Sequence, residues 1–279
     1  MKVIEQPAEV SRQILKLKAE GKSIGFVPTM GALHLGHLRL LEYAMAENNV
    51  SLASIFINPL QFNNSQDLDR YPRTVEQDLD MLEKSGCDLV LLPTTESMYQ
   101  NPTRITLDFG TLSSGMEEKF RPGHFTGVGV IVAKLFHLTW PDRAYFGLKD
   151  LQQCAVVKTL VSDLGFPVQL RFIETMRETD GLAMSSRNQR LSSLGREMAA
   201  NLYQTLTEIS NALKEKTFAF ARNKGIENLA NLGINKVEYL EMVDFETMEP
   251  VLEPNSAQKT AICIAAWVDD VRLIDNVFV

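Results

Sequence analysis

The sequence predicts an α/β protein: a Rossmann-like doubly wound parallel sheet, followed by a smaller C-terminal α+β domain of helices and antiparallel strands. Three observations predict it. Short apolar runs alternate with segments of helical period through about residue 175, the pattern of a parallel sheet covered on both faces by right-handed crossovers. After Glu174 the chain turns polar, then runs through two long helical segments into three strand-like runs. And the apolar run at 23–27 passes directly into a glycine-containing turn and a helical run at 38–47, the order in which such sheets hold ligands at strand carboxyl ends. A length of 279 residues fits one large or two medium domains; the change of character divides them as 1–174 and 175–279.

The elements follow in order. Residues 8–20 carry apolar side chains at helical spacing (Val10, Ile14, Leu15, Leu17) and Gly21 ends them. Residues 24–27 read as a strand. Residues 51–57 are almost continuously apolar and stop at Asn58-Pro59, as a buried parallel strand does. A helix at 74–85, closed by Gly86, leads to a buried strand at 87–92, stopped by Pro93. The alternation at 103–109 predicts a strand near an edge. A helix at 126–138, despite two glycines, a short strand at 143–146, a helix at Leu151–Leu164 and a strand at 167–173 complete the alternation. The polar segment 175–193 reads as a linker or a loop of the site. Helices at 194–214 and 218–232 and strands at 237–243, Thr260–Val268 and 271–279 follow, with Asp269-Asp270 turning the last pair.

Composition narrows the function. Hydrophobic content of 45% and charged content of 23% are those of an ordinary globular protein. A net charge of −7 disfavours sequence-independent nucleic-acid binding, which needs a basic surface. No apolar run approaches the length of a membrane span, and the start lacks a signal-peptide core, so a cytoplasmic protein is expected. Cys87, Cys154 and Cys263 are far apart among apolar neighbours and read as buried free thiols of a reducing compartment.

Three segments carry chemistry together. The turn Thr29-Met30-Gly31-Ala32-Leu33-His34-Leu35-Gly36-His37 puts two histidines at a helix mouth, where ring and backbone N–H groups can meet an anion. Their spacing also suits a metal pair, though no further Cys, Asp or Glu stands close by in sequence, or a capping histidine beside a core one. Gly36 leaves room for a purine or ribose against the helix backbone. The second segment, Gly147-Leu148-Lys149-Asp150, puts a cation between a strand's carboxyl end and a helix start; a solvated lysine with Asp150 as N-cap is the plain alternative. The third, Met184-Ser185-Ser186-Arg187-Asn188, can wrap a triphosphate and close on it. Gln61 and Gln153 could bind a hydroxy acid without neutralising its carboxylate. His124 suits loop packing or site contact equally, His137 packing, and Gly127 and Gly129 follow no strand in dinucleotide-fingerprint form.

With these segments in order, the chain closely resembles the pantoate–β-alanine ligase (pantothenate synthetase) family of the nucleotidyltransferase superfamily. The resemblance rests on 28–37, Asn58-Pro-Leu-Gln-Phe62, Tyr71-Pro-Arg-Thr74, 121–128, Phe146-Gly-Leu-Lys-Asp-Leu-Gln-Gln153 and Asp180-Gly-Leu-Ala-Met-Ser-Ser-Arg-Asn188. His34-Leu-Gly-His37 looks like the superfamily's histidine signature and 184–187 like its mobile lysine-serine loop. The family usually has Glu where this chain has Leu148, and an aromatic where it has Leu151.

The resemblance implies an ATP-dependent ligase acting through pantoyl adenylate, with Mg²⁺ accompanying ATP, and a homodimer. It implies an ATP site of Met30, Gly31, Ala32, Leu33, His34, Leu35, Gly36, His37, Gly147, Leu148, Lys149, Asp150, Met176, Met184, Ser185, Ser186 and Arg187. His37 would be the proton donor, with His34 and Lys149 beside it in catalysis. Gln61 would touch pantoate and β-alanine, and Gln153 pantoate. Another adenylyltransferase of the superfamily and a non-catalytic nucleotide-binding module are the alternative readings.

Overall fold

The structure, a computed structural model, describes residues 1–254 and 259–279. It divides into two compact units: Met1–Phe109 with Arg121–Leu148 and Val156–Glu174, and Gly110–Phe120 with Lys149–Ala155 and Thr175–Val279. Among the described residues no helix is long and apolar enough to cross a membrane.

In chain order the elements are Lys2–Ile4 (β1), Pro7–Ala19 (α1), Ile24–Thr29 (β2), Leu35–Glu47 (α2), Val50–Ile55 (β3), Ser65–Asp69 (α3), Val75–Lys84 (α4), Leu89–Leu91 (β4), Thr95–Met98 (α5), Glu117–Phe120 (α6), His124–Thr139 (α7), Arg143–Gly147 (β5), Leu151–Leu164 (α8) and Gln169–Ile173 (β6). Ser193–Ala212 (α9), Phe218–Asn231 (α10), Lys236–Asp244 (β7), Thr260–Val268 (β8) and Val271–Phe278 (β9) follow. Short 3₁₀ turns lie at Pro59–Gln61, Gly110–Ser113 and Ser186–Arg190.

The first unit is built on six parallel strands in the order β1-β4-β3-β2-β5-β6. All six residues of β3 are buried, which is why that stretch reads as continuously apolar rather than alternating. On β2, Val27 packs with Leu40, Ala44 and Tyr145, while the adjacent Phe26 meets Phe136 of α7 edge-on at 6.5 Å. Neighbouring strand residues point to opposite faces, so α2 and α7 cover opposite sides of the sheet. The strand order reverses at β2. Its ladder to β3 runs from Ile24 to Thr29, whereas its register with β5 covers Gly25 and Phe26. The carboxyl halves of β2 and β5 therefore border the switch point, where doubly wound sheets take ligands.

The second unit holds the antiparallel sheet β7-β8-β9. On one face Ile262, Ile264, Ala266 and Val268 of β8 pack with Leu202, Leu206 and Ile209 of α9 and Leu229 of α10. On β7 the Tyr239 hydroxyl donates to Glu117 of α6 at 2.8 Å. Arg272 of β9 forks onto the same carboxylate at 2.8 and 2.7 Å and reaches Glu238 at 2.7 Å. Glu117 and Arg272 are largely buried, so each charge depends on the other for compensation.

One expected strand is absent from the structure, and one strand that the sequence did not announce is present. Residues 103–109 form no strand. Their alternation arises because Leu107 and Phe109 are the shielded positions of an otherwise exposed segment; the Leu107 carbonyl accepts the Thr126 hydroxyl of α7 at 2.8 Å instead of a ladder partner. Conversely β1, three residues long with only Ile4 buried, pairs with β4, too short for its period to register. Cys87, Cys154 and Cys263 are buried free thiols. Burial pushes all three up, Cys87 to about 11, which keeps them as unreactive thiols.

Candidate active site

In the first unit the histidine motif begins where β2 ends. Gly31 and Ala32 both take left-handed backbone conformations, φ 79° and 48°. Successive N–H groups in such a turn converge into an anion-binding hollow. Here a side chain fills it: Asp78, on the first turn of α4, accepts Ala32 N–H at 2.9 Å and Leu33 N–H at 2.8 Å, and the Thr74 hydroxyl at 3.1 Å. Asp78 is 1% exposed. Sequence reasoning missed it, since an aspartate in a helix's first turn is ordinary dipole complementarity.

The histidines cap α2 reciprocally. His34 is the N-cap; its Nδ1 accepts Gly36 N–H at 3.1 Å, and His37 Nδ1 accepts His34 N–H at 3.3 Å. The rings lie 4.1 Å apart. A neutral imidazole that accepts at Nδ1 carries its proton on Nε2, so the caps set both tautomers as Nε2–H donors. The N–H groups of Ala32, Leu33, His34 and Gly36 are thus bonded within the protein, and each ring has its Nδ1 engaged by the caps.

Beyond β3, the Pro59–Gln61 turn is fixed by a network whose polarity two backbone groups decide. Leu60 N–H donates to Asn58 Oδ1 at 3.3 Å, and Asn58 Nδ2 donates to the Gly127 carbonyl at 3.0 Å. That orients the Asn58 amide, which also accepts the Tyr99 hydroxyl at 2.8 Å and donates to Gln61 Oε1 at 3.2 Å. Gln61 Oε1 is thereby engaged, and its Nε2 points toward Met30 Sδ, 3.0 Å away. The glutamine that the sequence presents as both donor and acceptor is set as a donor.

His124 Nδ1 donates to the Gln61 carbonyl at 2.8 Å, while its Nε2 receives Arg121 Nη1 at 3.3 Å. It holds the turn that carries Gln61. His137 bonds the Ala133 carbonyl at 2.8 Å, one turn back on exposed helix surface. A cleft of about 330 Å³ opens at the carboxyl ends of β2, β3 and β4, its wall including Met30, Gly31, Ile57, Thr74, Asp78 and Thr94.

In the second unit Lys149 lies two residues beyond the end of β5, half-buried, with Asp150 3.6 Å from its Nζ. The polar segment after Glu174 is more ordered than its composition suggests. Arg177 and Ala183 form an antiparallel bridge, and Met184 N–H donates to the Met176 carbonyl at 2.9 Å, making Met176 and Met184 neighbours. Ser185 caps the turn at Ser186–Arg190, its Oγ accepting Arg187 N–H at 3.3 Å. The two adjacent glutamines of α8 separate in role. Gln152 is buried and bonds the Leu112 and Gly115 carbonyls and Glu117 N–H, whereas Gln153 is half-buried.

Asp78→Asn keeps side-chain size but turns an NH₂ toward one of two N–H donors. Its expected cost is about 2 kcal/mol, the penalty of an unsatisfied buried group that had a charged partner, read as a lower urea midpoint. An unchanged midpoint would remove Asp78 as the brace of the turn.

A doubly wound parallel sheet with a histidine-capped helix beyond β2, at its switch point, defines a Rossmann-like protein of the nucleotide-binding class. The family model described as pantoate-beta-alanine ligase matches residues 2–278, and the chain belongs to the pantoate–β-alanine ligase family. It is 46% identical over 264 residues to the pantothenate synthetase of Cytophaga hutchinsonii, covering 94% of this chain and 93% of that one. The crystal structure of pantothenate synthetase from Thermus thermophilus superposes with a TM-score of 0.91 at 41% identity, over 99% of each chain. The pantoate-beta-alanine ligase of Francisella tularensis, complexed with beta-gamma ATP and beta-alanine, superposes at 0.85 with 32% identity, over 100% of this chain and 97% of that one.

Proposed function

We propose that this chain condenses (R)-pantoate with β-alanine at the expense of ATP, in two steps. A pantoate carboxylate oxygen attacks the α-phosphorus, and the bond from that phosphorus to the bridging oxygen of the leaving pyrophosphate breaks, giving pantoyl adenylate. The β-alanine amine then attacks the acyl carbon, loses a proton, and expels AMP as the amide of pantothenate forms.

The observation that carries this reading is the orientation of three donor side chains in the first unit. His34 and His37 have Nδ1 engaged and the proton on Nε2, and Gln61 has its carbonyl engaged by Asn58 and its NH₂ turned to Met30 Sδ. Donors suit both needs of the first step: negative charge grows on pyrophosphate as it leaves, and the attacking acid must be held while keeping its charge. His37 is read as the proton donor to the departing phosphates, with His34 and Lys149 stabilising their charge. Met30, Gly31, Ala32, Leu33, Leu35, Gly36, Gly147, Leu148, Asp150, Met176, Met184, Ser185, Ser186 and Arg187 complete the residues read as contacting ATP. Ala32 and Leu33, whose N–H groups bond Asp78, contribute shape. Gln61 is assigned to pantoate and β-alanine, and Gln153 to pantoate.

Positioning and charge stabilisation suffice, because no covalent enzyme intermediate is needed. Acyl adenylates hydrolyse readily, so a closing role for residues 175–279 fits the chemistry. Mg²⁺ is read as entering on ATP's phosphates. Among the described residues no group of three or more His, Cys, Asp or Glu forms a cage, and Mg²⁺ usually keeps waters and phosphate ligands instead. A cytoplasmic homodimer is the expected form.

The test is a substrate screen for AMP release. Release that requires both (R)-pantoate and β-alanine supports the assignment; equal release with other hydroxy acids, or without β-alanine, overturns it in favour of another adenylyl-transferring enzyme. Within that assay Gln61→Ala is expected to raise the KM for pantoate by about tenfold or more, as loss of a hydrogen bond to a charged group does. Unchanged pantoate affinity would exclude Gln61 from the acid's site.

A further inference from the structure

The second unit ties two of the segments read as contacting ATP to one strand end. Asp275 and Asn276 lie near the end of β9, in register with Ile264 and Cys263 of the buried strand β8, and are 4% and 5% exposed. Asn276 Nδ2 donates to the Lys149 main-chain carbonyl at 2.9 Å. Its neighbour Asp275 receives Arg177 as a fork, at 2.7 and 3.0 Å. Arg177 also donates to the Asn276 carbonyl at 3.1 Å and to the Gly181 carbonyl at 3.1 Å, and its guanidinium stacks 3.7 Å over the Tyr203 ring. Arg177 therefore closes the hairpin that joins Met176 to Met184 and moors it to β9. Asn188 Nδ2, donating to the Ala183 carbonyl at 3.0 Å, carries the order on into the Ser185–Arg187 turn.

We infer that Asp275 and Asn276 are positioning residues for ATP: one rigid strand end sets the backbone of Lys149 and the hairpin bearing Met176 and Met184, so the two segments keep a fixed spacing. The inference rests on the reading that Lys149 and Met184–Arg187 contact ATP. A two-residue site on an edge strand is well suited to this. Successive side chains point to opposite faces, so one can hold the lysine segment while the other holds the hairpin. An error of about 1 Å in the placement of a phosphate-binding group costs on the order of 100-fold in rate, so a spacing held by buried hydrogen bonds has a direct effect on turnover.

The experiment compares Asn276→Ala, Asn276→Asp and Lys149→Ala in the full-length enzyme, measuring KM for each substrate, the rate of pyrophosphate release and the urea midpoint. Asn276→Asp keeps the shape but places a carboxylate oxygen against the Lys149 carbonyl, so it remains informative if the alanine variant fails to fold. Either Asn276 variant is expected to raise KM for ATP or slow pyrophosphate release by about tenfold or more, with the KM for β-alanine within about twofold of the parent. Normal ATP kinetics in a folded Asn276→Asp enzyme overturns the inference. So does a loss spread equally over ATP and β-alanine, the mark of a merely structural role. If Lys149→Ala slows pyrophosphate release and the Asn276 variants do not, the inference alone fails; if Lys149→Ala also leaves the ATP steps unchanged, the underlying reading of Lys149 fails with it.

Discussion

Lys149→Ala is expected to lower turnover by roughly 100- to 1,000-fold, the scale for removing one preorganised charge from a developing oxyanion, while leaving the fold intact. The second half follows from what Lys149 touches. Its ion-pair partner, Asp150 at 3.6 Å, is half-exposed, so that pair contributes little stability. What Lys149 contributes to packing is its main-chain carbonyl, which Asn276 holds and which alanine retains. The measurement is single-turnover pyrophosphate release alongside a urea melt. A near-parental rate would remove Lys149 from the phosphates; a large drop in the midpoint would mean the loss of rate came from unfolding.

Gly127→Ala carries the largest structural effect. In an exposed helix the change stabilises, by about 1 kcal/mol. Here the new Cβ would lie 2.3 Å from the Leu60 carbonyl oxygen, 2.4 Å from its carbon and 2.6 Å from Gln61 N. All three are backbone atoms, so no side chain can swing aside. Either α7 shifts, against buried Phe125, Val128, Ile131 and Val132, or the Pro59–Gln61 turn shifts and takes Gln61 with it. Overpacking of this kind costs about 3 kcal/mol, which outweighs the helix-propensity gain. The expected result is a lower urea midpoint together with a raised KM for pantoate. A midpoint at or above the parent's would show that α7 and the turn are not in contact as described.

The same position shows where the sequence is legible and where it is not. That residues around Gly127 form a helix is readable, because the apolar period survives two glycines. Why a glycine stands there is not, since the reason is a carbonyl on a turn distant in the chain. The lengths and kinds of the main elements follow from local chemistry: β8 and α8 have the bounds their apolar periods predict, because period and end signals are properties of neighbouring residues. The stretch at 103–109 misleads for the same reason, since alternation reports which side is shielded and not what shields it. Gln61 is legible as a polar residue at a strand end, but not as a donor; its polarity depends on Asn58, which depends on Leu60 N–H and the Gly127 carbonyl.

By itself, then, the sequence determined that this is a doubly wound α/β chain with a smaller α+β region, through residue types at fixed spacings along one strand–turn–helix or loop at a time, and it supplied the motifs read as contacting ATP. Only the tertiary structure decided how those motifs are held: Asp78 filling the hollow beneath the histidine turn, His34 and His37 fixing each other's tautomers, Gln61 turned to donate, and Asp275 and Asn276 mooring the second unit's segments. The division has a physical cause. Apolar period and turn chemistry act between near neighbours, while hydrogen-bond direction is settled by whichever distant group arrives to complete the bond.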